Sequence, residues 1–193
     1  MTEPAPRPSA RRDELLERAY AYVLEHGLGD LSLRPLAAAI GSSPRVLLYL
    51  FGSKDGLVRA LLARARADEL AQLERVRARA PRDLASAALQ VWRWLATPRH
   101  RPLLVLWLET YARSLVEPDG VVADFAAATV RDWLDVLAAS QPPELRDSPD
   151  GRAQRSAVLA LLRGALLDLL ATGDRARTTA AVDQGVAALT GDR

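Results

Sequence analysis

The chain has 193 residues, 49% of them hydrophobic, no cysteine, and 26 Lys/Arg against 24 Asp/Glu for a net charge of +2. That apolar fraction is too high for a disordered chain, disulfide and thiolate chemistry are excluded, and so small a net charge by itself says little about nucleic acid. Residues 1–9 are polar and proline-rich rather than a secretory leader, and the longest apolar run, 157–171, is too short for a bilayer and contains Arg163 and Asp168, so a cytoplasmic chain with no membrane partner is expected.

Taken in order, residues 1–9 read as a flexible arm, from which Arg7, helped by Arg11 and Arg12, reaches phosphate or the minor groove. A first helix is expected over 10–25, with Leu15, Leu16, Ala19, Tyr20 and Val23 as its inner stripe. The stretch Leu31–Phe51 then reads as two short helices joined by a tight turn. Ser32 is expected to cap the first, its hydroxyl accepting from a backbone N–H one turn in. That helix spans 33–40, tolerates Pro35 in its first turn, turns Leu36, Ala37 and Ile40 inward, and ends at Gly41. Ser42 or Ser43 caps the next helix, 44–50, with Pro44 at its first position. Leu47 and Phe51, one turn apart, pack back on the first helix. This is a helix-turn-helix, whose second helix lies in the DNA major groove.

Gly52-Ser53 make a turn into a long fourth helix over 54–79, about 40 Å at 1.5 Å per residue. Five further helices are expected over about 82–96, 102–116, 120–140, 152–171 and 177–189, with Pro- and Gly-rich breaks between them. No alternating strand pattern appears. The predicted fold is all-α with about nine helices. A helix-turn-helix head occupies 10–53, connecting helix four 54–79, and a carboxy-terminal helical bundle 80–193.

Groove reading needs side chains that project from one face of the second short helix. Ser43, Pro44, Arg45, Val46 and Tyr49 are the candidates. Arg45 is the best base reader, since its guanidinium binds guanine O6 and N7 together. Val46 suits a thymine methyl, and Tyr49 a phosphate. Arg34 and Ser32 lie beside the groove, and Lys54 opens the fourth helix where its ammonium and free N–H groups clamp a phosphate. Up to residue 66 there are ten Lys/Arg against seven Asp/Glu, so the positive excess sits with this head.

The residues Leu31-Ser32-Leu33-Arg34, Leu36-Ala37, Gly41-Ser42-Ser43, Leu47, Phe51, Lys54 and Leu57 resemble the tetracycline-repressor-like (TetR-type) family of bacterial transcription regulators. The resemblance covers roughly 11–62. The family usually ends its reading helix in Tyr-x-His-Phe; here the sequence is Leu48-Tyr49-Leu50-Phe51. Arg45 also stands where a small residue is common. The resemblance implies a homodimer on a pseudo-palindromic operator, released when a small-molecule effector enters the carboxy-terminal domain.

Four tryptophans lie past residue 90. Trp92, Trp107, Tyr111, Phe125, Trp133 and Leu166 are the expected lining of a pocket for an apolar or aromatic effector. The run 157–171 is apolar nearly all round and needs cover on more than one side. Leu162, Gly164, Ala165 and Leu169, with Val182, Gly185 and Val186 of the last helix, are the expected dimer interface. No metal-ligand spacing, phosphate loop or nucleophile elbow is present, so neither an enzyme nor a cofactor is expected. The reading is a ligand-responsive, homodimeric, sequence-specific regulator of transcription, a repressor. The alternative is a helical small-molecule-binding or scaffold protein that no longer reads DNA, a possibility raised by Leu48 and Leu50.

Overall fold

The computed structural model describes residues 8–29, 31–79, 81–117, 119–120 and 122–191. The expected arm, with Arg7, lies almost wholly outside them. Among the described residues there are ten α-helices and no strand. They are α1 (Pro8–His26), α2 (Leu33–Ala39), α3 (Pro44–Phe51), α4 (Lys54–Ala78), α5 (Leu84–Leu95), α6 (Arg101–Val116), α7 (Phe125–Ala139), α8 (Pro143–Arg146), α9 (Pro149–Thr172) and α10 (Arg175–Thr190). A short 3-10 turn, Pro98–His100, precedes α6. No helix of the described residues is long and apolar enough to cross a membrane.

Helix starts follow local capping chemistry. Ser43 Oγ accepts from Val46 N–H (3.3 Å), Ser53 Oγ from Gly56 N–H (2.9 Å), Ser148 Oγ from Gly151 N–H (2.9 Å) and Asp174 from Arg177 N–H (3.0 Å). Ser148-Pro149 starts α9 three residues earlier than expected, by the same Ser-Pro signal that starts α3. Ser32 departs from expectation. It holds the extended cap conformation, but its side chain makes no capping bond. The helix expected from residue 120 begins only at Phe125; ahead of it, Ala123 N donates to Gly120 O and Phe125 N to Val122 O, turn-type bonds rather than helical ones.

Asp83 caps α5, accepting from Ser86 N–H (2.7 Å) and from the Ser86 hydroxyl. Those donors hold its carboxyl below the ordinary value. A depressed folded-state pKa contributes stability above the unfolded pKa and loses it as pH falls through the folded one. Asp83→Ala is therefore expected to cost about 0.5–1 kcal/mol at pH 7, discounted for exposure. The gap should shrink in urea titrations run well below pH 4.

Residues divide into two compact units. One comprises the described residues up to Asp68 together with Val105–Ala126, and the other Glu69–Leu104 with Ala127 onward. The expected boundaries at 53/54 and 79/80 differ from this division, because 105–126 packs with the head rather than with the bundle.

Unit one is built on α1. Leu15, Ala19, Tyr20 and Val23 pack with Leu36, Ala37 and Ile40 of α2, Leu47 and Phe51 of α3, and Leu57, Leu61 and Leu62 of α4. Leu106 of α6 and Val122 complete the cluster. Leu16 is only partly buried. A polar clasp joins α1 to α4: Tyr20 Oη donates to Asp68 (2.9 Å), and Arg64 binds Glu17 (2.7 Å) and Asp68 (2.5 Å) while lying over the Tyr20 ring. Burial and the Asp68 carboxylate push the Tyr20 phenol well above its ordinary value.

In unit two, α5, α9 and α10 pack on one another. Their buried residues include Val91 and Trp92, Val158, Leu162 and Leu166, and Val182 and Val186. Trp92 Nε1 donates to Thr179 Oγ1 at 3.0 Å. A Cβ on Gly185 would stand 2.7 Å from Leu161 Cδ2, so α10 lies close on α9 there. Inside the unit, Trp133 Nε1 donates to the buried Glu69 carboxylate at 2.8 Å.

Candidate nucleic-acid interface

The α2–α3 pair is set by packing at one turn of spacing. Leu36 and Ala37 of α2 and Leu47 and Phe51 of α3 are buried. Gly41 makes the turn with φ +67°, a conformation that a Cβ disfavours. Ser42 N donates back to Ala37 O (2.8 Å), and Arg18 of α1 donates to Ile40 O (3.3 Å), satisfying carbonyls at the end of α2. Burying Leu47 and Phe51 turns the opposite side of α3 outward. Arg45 is exposed, Val46 39%, Leu48 41% and Tyr49 82% exposed.

Most of the expected DNA-contacting set is solvent-facing. Ser32, Arg34, Ser43, Arg45, Val46, Tyr49 and Lys54 are exposed, and Pro44 is half-buried. Lys54 is the first residue of α4. Of the amino-terminal arginines, Arg11 pairs with Glu14 (2.7 Å), and Arg12 lies over the Phe51 ring (5.0 Å), bracing the end of α3.

Two features were not read from the sequence. Gly56, in the first turn of α4, has no room for a side chain: a Cβ there would stand 2.0 Å from the Phe51 carbonyl oxygen. That close approach sets α3 against α4 and so places Lys54 relative to Arg45. The second is where Glu109 of α6 stands: the sequence suggests only a polar anchor for the effector pocket, but its Oε2 accepts from Leu28 N–H at 3.0 Å just past the end of α1. It lines a cleft of about 490 Å³ within unit one, bordered also by Leu31, Lys54, Val58, Leu62 and Arg113. A serine capping pattern announces neither, since both are contacts between elements.

The six expected pocket residues do not fall in one unit. Trp92, Trp133 and Leu166 are buried in unit two. Trp107 and Tyr111, with ring centroids 5.2 Å apart, and Phe125 belong to unit one, where Phe125 packs on the head's core. Of the expected interface residues, Leu162, Val182 and Val186 are at most 1% exposed, and Gly185 faces Leu161. Leu162, Val182 and Val186 are covered within their own chain, where α9 and α10 pack on each other, and Gly185 is half-buried against Leu161. Gly164 is exposed, and Ala165 and Leu169 are half-buried. Among the described residues, no group of three or more His, Cys, Asp or Glu is placed to hold a metal ion.

Residues 15–61 match the model of the bacterial regulatory proteins, tetR family. Solved structures share the fold over nearly the whole chain. A transcriptional regulator from Rhodococcus sp. Rha1 superposes with a TM-score of 0.75 at 20% identity, covering 93% of this chain and 96% of its own. A TetR transcription regulator from Haloarcula marismortui ATCC 43049 gives 0.72 at 18%, covering 95% and 97%. The multidrug binding protein EbrR complexed with proflavin gives 0.62 at 25%, covering 91% of this chain and 99% of its own. None of the curated proteins matches the sequence.

Proposed function

We propose that this chain, whose residues 15–61 match the model of the bacterial regulatory proteins, tetR family, is a sequence-specific transcription regulator, a repressor, that works in the cytoplasm as a homodimer and answers to a small molecule. The observation that carries the reading is the sorting of α3: Leu47 and Phe51 inward, Arg45, Val46 and Tyr49 outward. A two-fold dimer sets two such helices about one DNA turn apart on a pseudo-palindromic operator.

The dimer face we favour is the outer side of α9. Ala160, Gly164, Leu167 and Ala171 recur there at spacings of four, three and four, and all are exposed, Leu167 by 48%. Small residues at that spacing let a second helix approach closely. The effector is of apolar or aromatic character, as the tryptophans and other aromatics of the carboxy-terminal half suggest. EbrR, a structural neighbour complexed with proflavin, is in keeping with an effector of this character. Helix α4 runs from Lys54 through Ala78, a continuous rod by which ligand binding shifts the reading heads.

Selection of duplexes from random DNA tests the whole reading. A dimer that recovers a two-fold-related sequence, and releases it on adding proflavin or another aromatic cation, is the expected result. A monomer without sequence preference at low salt would instead favour the scaffold alternative, which Leu48, exposed where the family has a phosphate-binding Tyr, keeps in view. Lys54→Ala should weaken binding to selected and unrelated duplexes alike, by about 1 kcal/mol, and flatten the salt dependence by about one ion per head.

A further inference from the structure

The outward side of α3 carries much exposed apolar surface beside the Arg45 guanidinium and the Tyr49 hydroxyl. Val46, Leu48 and Tyr49 are exposed, and Arg45 is the one charged side chain on the helix. Ser43 Oγ is already engaged by Val46 N–H in capping. Exposed apolar groups of this size gain free energy when a partner covers them. The flanking cations, Arg34 and Lys54, are exposed and complement a polyanion. On the major-groove edge of a duplex, the apolar group on offer is the thymine C5 methyl.

We infer that α3 specifies its operator by packing Val46, Leu48 and Tyr49 on thymine methyl groups as well as by Arg45 taking a single guanine. Each half-site then carries two or more thymines beside one guanine. Apolar contact and the Arg45–guanine pair then share the sequence preference, and phosphate contacts from Arg34 and Lys54 supply orientation. The inference rests on α3 being the groove-reading helix.

The test uses the full-length protein and the duplex recovered from random DNA, with each thymine replaced in turn by deoxyuridine. That change removes the methyl and leaves base pairing and the groove's hydrogen-bonding groups intact. At about 0.8 kcal/mol for a buried methyl-sized group, binding should weaken about fourfold at each touched thymine, and about fifteenfold when its symmetry mate is changed too. Val46→Ala and Tyr49→Ala, both at exposed positions, should each lose the thymine-over-uracil preference at the base that side chain covers. Undiminished binding of a uracil-substituted duplex, with preference for the selected sequence kept, would overturn the inference and leave the DNA-reading function standing. A methyl effect that persists unchanged in the Val46, Leu48 and Tyr49 alanine variants would overturn it as well, because the methyl would then act through DNA shape. Failure to recover any preferred duplex would overturn both.

Discussion

Gly56→Ala is expected to cost about 3 kcal/mol of stability and to remove operator binding at concentrations that saturate the unaltered protein. A Cβ at this position would stand 2.0 Å from the Phe51 carbonyl oxygen and 3.2 Å from its carbon. Those are backbone atoms, so no side-chain rotation relieves the overlap. The chain between α3 and α4 must open instead. Opening it pulls Phe51 from the core it shares with Leu36 and Leu57, and moves Lys54 away from its place beside α3. The bond from Gly56 N–H to Ser53 Oγ, 2.9 Å long, is strained by the same movement. Gly29→Ala is the matched control. No atom lies within 4 Å of a Cβ there, and its effect should stay within about 0.5 kcal/mol. Urea unfolding monitored by circular dichroism measures both changes. Equal midpoints for the two variants would show that the α3–α4 junction tolerates the added carbon.

Arg45→Ala is expected to weaken binding to the preferred duplex by about 1–3 kcal/mol per half-site, roughly fivefold to 150-fold. Binding to unrelated duplexes should fall much less, because one charge of several phosphate-facing cations is lost. Arg45 is exposed at the second residue of α3 and belongs to none of the core contacts of the head, so stability should be unchanged within about 0.5 kcal/mol. Anisotropy titrations at two salt concentrations, on preferred and scrambled duplexes, separate the two effects. An equal loss on both would make Arg45 a phosphate contact rather than a base reader.

The reading head was legible because its determinants are local. Ser43 and Pro44 start α3, Gly41 breaks α2, and Leu47 and Phe51 are paired by one helical turn; each is a relation over four residues or fewer. Exposed charge at Arg34, Arg45 and Lys54 follows from the same arithmetic, since burying one side of a short helix turns the other side out. Ser32 marks the limit even here. Its backbone holds the cap position, yet the hydroxyl takes no capping bond, because a cap conformation does not by itself fix a side-chain rotamer.

The amino-acid sequence by itself determined that the chain is all helix, where the helix-turn-helix lies, and which side of α3 meets solvent. Tertiary structure decided the rest: that 105–126 joins the head, that Gly56 must lack a side chain, and which faces of α9 and α10 turn inward. The physical reason is symmetry of pattern. The run 157–171 is apolar nearly all round, so nothing along it distinguishes Leu162, which is buried, from Leu167, which stays exposed. Direction in such a helix is chosen by its neighbours, and neighbours distant along the chain appear only once it has folded.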